Sequence, residues 1–224
     1  MAGGALLLTG CSALGIGGRE GGATEAAGTD EEISPAEDLM REHGVLRRIL
    51  LIYEEAGRRI ETGQEMPGEP LGDAVAIVRA FVENYHEKLE EDLLFPRFRE
   101  AGTLVDLVDV LLEQHKAGRR LTDEMLRLTD DPSLGSAADK EALAALFRRF
   151  GRMYRPHAAR EDTVLFPAIR EVVSGDEFAE MGEQFEDREH GIFGEHGFAD
   201  AVDRVAAIES AFRIHDLSLF TPRA

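Results

Sequence analysis

The chain has 224 residues, enough for one domain of ordinary size with a real hydrophobic core. Its composition, 43% hydrophobic and 31% charged with 7% aromatic residues and no Trp, is globular and favours aliphatic helix packing. The formal charge of −19 argues against nucleic acid as a partner, because no basic excess exists to neutralise phosphates, and a single cysteine rules out an intramolecular disulfide framework or a Cys-rich metal site.

The first stretch in chain order is MAGGALLLTGCSALGIGG. Its Leu8-Thr9-Gly10-Cys11 run resembles a bacterial lipobox, which implies an acylated Cys11, membrane attachment through that lipid and a place in the cell envelope, periplasmic or otherwise extracytoplasmic. No Lys or Arg precedes the apolar run, whose length of about seven residues is at the short limit for a signal sequence. Two readings stay open: a charged leader lies ahead of this start, or the segment is an apolar, disordered N-terminus of a cytoplasmic protein. Residues 12–33 lack apolar periodicity and read as a flexible tether, which sets 1–33 apart from the fold.

Ser34-Pro35-Ala36-Glu37 has the capping residue, first-turn proline and third-position glutamate of a helix start. That helix is expected to end near Gly63, before the turn-forming GQEMPGEP. A second is expected from about Leu71 to Phe95, a third from about Leu104 to Thr129 and, after the DDPSLGS break, a fourth from roughly Ala137 to Val173. All four show a 3.6-residue apolar period with no competing alternation, which predicts an all-α, antiparallel four-helix bundle over residues 34–174. Residues 175–224 are expected to add C-terminal helices packed on the bundle, two short helical patterns separated by a loop at HGIFGEHG, with DLSLFTPRA as an extended tail.

The bundle sequence repeats itself. REHGVLRRIL aligns with EQHKAGRRLT and HEKLEEDLLFP with HAAREDTVLFP, at an offset of 71 or 72 residues, so two helical hairpins each present a His on the first helix and H-x3-E on the second. Residues four apart on a helix lie about 40° from alignment, so His86 shares a face with Glu90, and His157 with Glu161. Glu91 and Asp162 rotate toward the flank and read as solvent-facing or as partners of the inner groups. One i,i+4 His-Glu pair is commonly a surface hydrogen bond; the recurrence of His or H-x3-E on all four helices is what points inward. Four His and two Glu exceed the four ligands of a tetrahedral structural zinc, and carboxylates supply the negative charge that lets two cations lie close together.

With these residues in view, the chain resembles the hemerythrin-like (HHE) family of non-haem di-iron four-helix bundles, over about Ser34 to Val173. The resemblance implies two non-haem Fe ions held by His43, His86, Glu90, His115, His157 and Glu161, with reversible O2 binding in the best-known members. Where the oxygen carriers place a further histidine, this chain has Arg119, and Glu161 stands where they place a later Asp. Glu87, directly after His86, and His190 in the expected C-terminal extension are the two candidates to complete the site. His196 and His215 read as solvent or packing residues. Tyr85 and Tyr154 read either as hydrogen-bond partners of site carboxylates or as core.

Two functions follow from the resemblance. One is a binding protein for O2 or a related diatomic or peroxide, serving storage, scavenging or sensing; the other is a di-iron enzyme acting on peroxide, NO or ferrous iron, toward which a ligating Glu87 would tilt the centre. A zinc or metal-free structural bundle is disfavoured by the number of ligands. The oligomeric state is left open by the sequence.

Overall fold

Helix starts and stops follow the local signals. Ser34 accepts the Glu37 N–H, Pro35 takes the first turn, and Gly63 closes the first helix in the left-handed conformation (φ 64°), where a side chain would be strained. A computed structural model describes residues 33–222; the lipobox at Cys11 and the tether up to residue 32 lie outside them. Within the described residues there is no strand, and the chain runs through α1 (Pro35–Thr62), α2 (residues 68–101), α3 (Val105–Thr129), α4 (residues 137–172), α5 (Gly175–Phe193) and α6 (Gly197–Ala211), ending in a 3-10 turn at Leu217–Phe220. Helix α1 packs on α4, α4 on α3, and α3 on α2, and short connections make sequential neighbours antiparallel. This is the expected four-helix bundle. No helix among the described residues is long and apolar enough to cross a membrane.

The first Leu-Phe-Pro exit behaves differently from expectation. The second helix does not end at Phe95 but continues to Ala101, and both proline-bearing helices open into a wide turn just ahead of the proline, at Glu90–Leu94 and Glu161–Leu165. In each, the phenylalanine N–H reaches back five residues, Phe95 to the Glu90 carbonyl and Phe166 to the Glu161 carbonyl. A proline lacks an N–H and its ring crowds the carbonyl four residues earlier; a wide turn moves that carbonyl aside, so the helix passes the proline without breaking. The glutamate of each H-x3-E therefore sits at the first residue of a wide turn.

The C-terminal extension belongs to the same hydrophobic core as the bundle: Phe178, Phe185, Val205, Ile208 and Phe212 join Leu39, Ile49 and Val75 in one cluster. Helix α6 lies against α1 and α2, and α5 against α1. The expected HGIFGEHG loop is shorter than the sequence suggests, because α5 runs on to Phe193 and Gly194, at φ 81°, ends it. Within the expected tail, Leu217–Phe220 form a short 3-10 turn rather than extended chain.

Candidate metal centre

Each of the four helices delivers its polar groups to one dry layer of the bundle. His43 from α1, His86, Glu87 and Glu90 from α2, His115 from α3, and His157 and Glu161 from α4 are all buried, with Glu90, His115 and Glu161 fully so. Two groups have ligand atoms close enough to share a cation: His43, His86 and Glu90, and His115, His157 and Glu161. The carboxylates lie between the two. Glu90 sets one oxygen 3.8 Å from His86 Nε2 and the other 3.4 Å from His115 Nε2, while Glu161 Oε2 lies 3.4 Å from His43 Nε2 and 3.1 Å from His157 Nε2.

The outward nitrogens explain why all four Nε2 atoms point in. His43 Nδ1 lies 2.7 Å from Asp162, His86 Nδ1 2.6 Å from Glu42, His115 Nδ1 3.1 Å from Glu91 and His157 Nδ1 2.9 Å from Gln114. A ring whose Nδ1–H donates outward is held in one orientation with a bare Nε2, the form that ligates a cation. The partners obey the internal repeat: Glu42 and Gln114 each precede a helix-leading His, and Asp162 and Glu91 each follow an H-x3-E glutamate. Arg47 binds Asp162 and Arg119 binds Glu91, again in equivalent places. Phe95 stacks on His115 and Phe166 on His43, with ring centroids 5.6 and 5.4 Å apart, so the Leu-Phe-Pro phenylalanines wall off the imidazoles of the opposite hairpin.

The inner oxygens are short of partners. Among the described residues, both oxygens of Glu90 and of Glu161 are buried without an aligned hydrogen bond, and the His115 and His157 Nε2 atoms face each other at 3.2 Å. Facing lone pairs and buried, unpaired carboxylates are unfavourable unless a proton or cation lies among them. Burial pushes Glu90 well above the usual carboxylate range, and the Glu161 charge adds to it. Burial opposes ionisation of Glu161 too, but His157 and His43 outweigh it and hold Glu161 below its ordinary value. Burial pushes His115 down to about 4 and holds His86 well below its usual value, so these two imidazoles are neutral at pH 7. This donor set, four imidazoles around two carboxyl groups, fits a pair of cations.

Of the two extra candidates, Glu87 lies beside the cluster and His190 does not reach it. Glu87 is buried, but Tyr154 donates its hydroxyl to Glu87 Oε1 at 2.6 Å and Arg119 lies 2.7 Å from Glu87 Oε2. Glu87, Glu91 and His115 do form a third grouping of ligand atoms, yet the Arg119 guanidinium is 2.7 Å from both carboxylates and supplies the positive charge there. Gly118 makes room for this arrangement, since a Cβ at that position would lie 2.0 Å from the Tyr154 hydroxyl. His190 is exposed on α5, in a surface groove with Asp38, Glu186 and Glu189, and the fold does not bring it to the cluster. His196 and His215 are exposed as expected. Sequence reasoning passed over Glu42, Gln114, Arg47 and Arg119 as site groups; the signal was their recurrence beside the histidines in both halves of the repeat.

Comparison with known proteins agrees with this geometry. The sequence is 48% identical over 190 residues to uncharacterized proteins of Mycobacterium bovis and of two strains of Mycobacterium tuberculosis, an alignment covering 85% of this chain and 74% of each relative. No solved structure gives a significant match. The family model described as the hemerythrin HHE cation binding domain matches residues 34–169, a span that holds all six inward-facing His and Glu side chains of the two groups. A buried His and Glu cluster of this kind, in a helical bundle that matches the family over more than half its length, makes this chain a metal-binding member of the hemerythrin HHE cation-binding domain family.

Proposed function

We propose that the protein is a non-haem di-iron protein that binds O2 or a related small molecule, with His43, His86, Glu90, His115, His157 and Glu161 as ligands and with Glu87 and His190 outside the set. The observation that carries this reading is the position of Glu90 and Glu161 between two His pairs, which suits carboxylates shared by two cations. Two ferrous ions, if held there by these six side chains, would supply the open coordination and reducing equivalents that binding of O2 requires. The protein's own groups do the rest. Nε2 atoms hold the ions, Phe95 and Phe166 keep water from the imidazoles, and Tyr154 keeps a proton on its hydroxyl against Glu87. With Glu87 engaged by Tyr154 and Arg119, the ligand set stays rich in neutral imidazole, which favours holding a small molecule over consuming it.

Iron analysis on protein made with iron supplied tests the reading, with about two ions per chain expected. Ferric charge-transfer absorption that disappears with dithionite and returns with air supports reversible binding. Bleaching accompanied by turnover of added peroxide or NO would instead favour the enzyme reading, and a chain that takes up no iron would overturn both. For location, the Leu8-Thr9-Gly10-Cys11 run supports attachment to the cell envelope through a lipid on Cys11. Metabolic labelling with a fatty acid, lost in Cys11→Ser, is the expected result; an unlabelled wild type would refute it.

A further inference from the structure

The four acceptors that hold the imidazoles are equivalent in pairs by the internal repeat, Glu42 with Gln114 and Glu91 with Asp162, but one of them differs in charge. Three are carboxylates: Glu42 on His86, Asp162 on His43 and Glu91 on His115. The fourth, on His157, is the neutral amide oxygen of Gln114. The cations around them are also unevenly shared. Glu91 is bound by both Lys88 and Arg119, whereas Asp162 pairs with Arg47 and Glu42 lies buried against His86 with no arginine or lysine of the described residues in ion-pair contact. The hydrogen bonds follow the same order, 2.6 and 2.7 Å in the His43 and His86 group against 2.9 and 3.1 Å in the other.

A carboxylate accepting the Nδ1–H draws the proton away from the ring, leaving more electron density on Nε2 and a stronger donor to a cation; a neutral amide does this less, and a carboxylate already paired with two cations does it less again. We propose that the two cation positions are inequivalent, that the His43 and His86 position fills first and binds more tightly, and that Gln114 is the residue that weakens the His115 and His157 position. This rests on the two-cation reading above. It adds an order of filling and names the side chain that sets it. Glu42 and Gln114 act here as positioning residues, through the imidazoles they hold.

The test uses the full chain, stripped of metal with a chelator and titrated anaerobically with Co2+, followed by calorimetry and by the Co2+ absorption bands. Mutual repulsion alone would separate two steps, so the decisive readings are location and response to substitution. At one equivalent, anomalous scattering from crystals is expected between His43 and His86. Gln114→Glu is expected to tighten the second step about 10-fold or more, and Glu42→Gln to weaken the first by a similar factor. Both changes keep side-chain size, and circular dichroism checks that each variant is folded. Filling of the His115 and His157 position first, or at the same rate, would overturn the inference while leaving the two-cation reading intact, as would a Gln114→Glu variant that titrates like the wild type. No Co2+ uptake at all would defeat both.

Discussion

Tyr154 and Glu87, 67 residues apart in sequence, meet at 2.6 Å beside the cluster, in a space that exists because residue 118 is glycine. The internal repeat places Ala158 where the other half has Glu87, so this contact has no counterpart in the other half of the repeat. Tyr154→Phe leaves a buried Glu87 oxygen without its donor and is expected to cost about 1–3 kcal/mol of stability in urea unfolding, with metal content unchanged. Gly118→Ala pushes the hydroxyl out of place and should cost a similar amount. Because both changes act on one atom, the double variant is expected to lose less than the sum of the two. Full additivity would mean that Gly118 does not hold this contact open.

Replacing a ligand tests the proposed centre directly. His86→Ala and His157→Ala together are expected to abolish iron uptake, while the variants stay helical in circular dichroism because the surrounding core does not depend on these two rings. Retention of about two ions per chain by the double variant would exclude both residues as ligands.

Stability of chelator-stripped protein is expected to fall as pH rises above 6.5. Burial holds Asp38 and Glu83 up at about 7, against ordinary values of 3.8 and 4.5. In that window the folded chain keeps protons that the unfolded chain has already released, so unfolding is favoured by rising pH until those carboxyls have ionised, around and above pH 7. His86 and His115 act in the opposite sense, but their contribution is complete above their ordinary value of 6.5. Thermal melts between pH 6.5 and about 8 check this, and a melting temperature that holds level or rises would contradict it. Metal affinity over the same range is expected to increase with pH, since ions must displace protons from the buried carboxyls.

The C-terminal helices are expected to be integral to the fold. Phe212 is fully buried, the Arg59 guanidinium lies 5.1 Å from its ring centroid, and Arg59 also donates to the Phe212 carbonyl at 2.5 Å. Phe212→Ala should cost about 3–5 kcal/mol, read as a shift of one cooperative urea transition for the whole chain. A second, separate transition would show that α5 and α6 fold apart from the bundle.

What the sequence determines by itself is whatever one helix can express alone. The Ser34 cap, the 3.6-residue apolar period, the doubled H-x3-E and the shared face of His86 with Glu90 are properties of local spacing, and each is legible without a partner helix. The passage of α2 through Pro96 was not legible, because the wide turn that accommodates the ring leaves no mark beyond the proline itself. Nor were the roles of Glu87 and His190. Where Glu87 points depends on Tyr154 and Arg119, which arrive from α4 and α3, and on the missing Cβ of Gly118; His190 is left outside by the way α5 lies on α1. The outward partners of the four imidazoles are likewise 24 to 119 residues distant in sequence. Spacing along a helix sets which side chains share a face, but only the rotation and packing of one helix against another decides what that face meets.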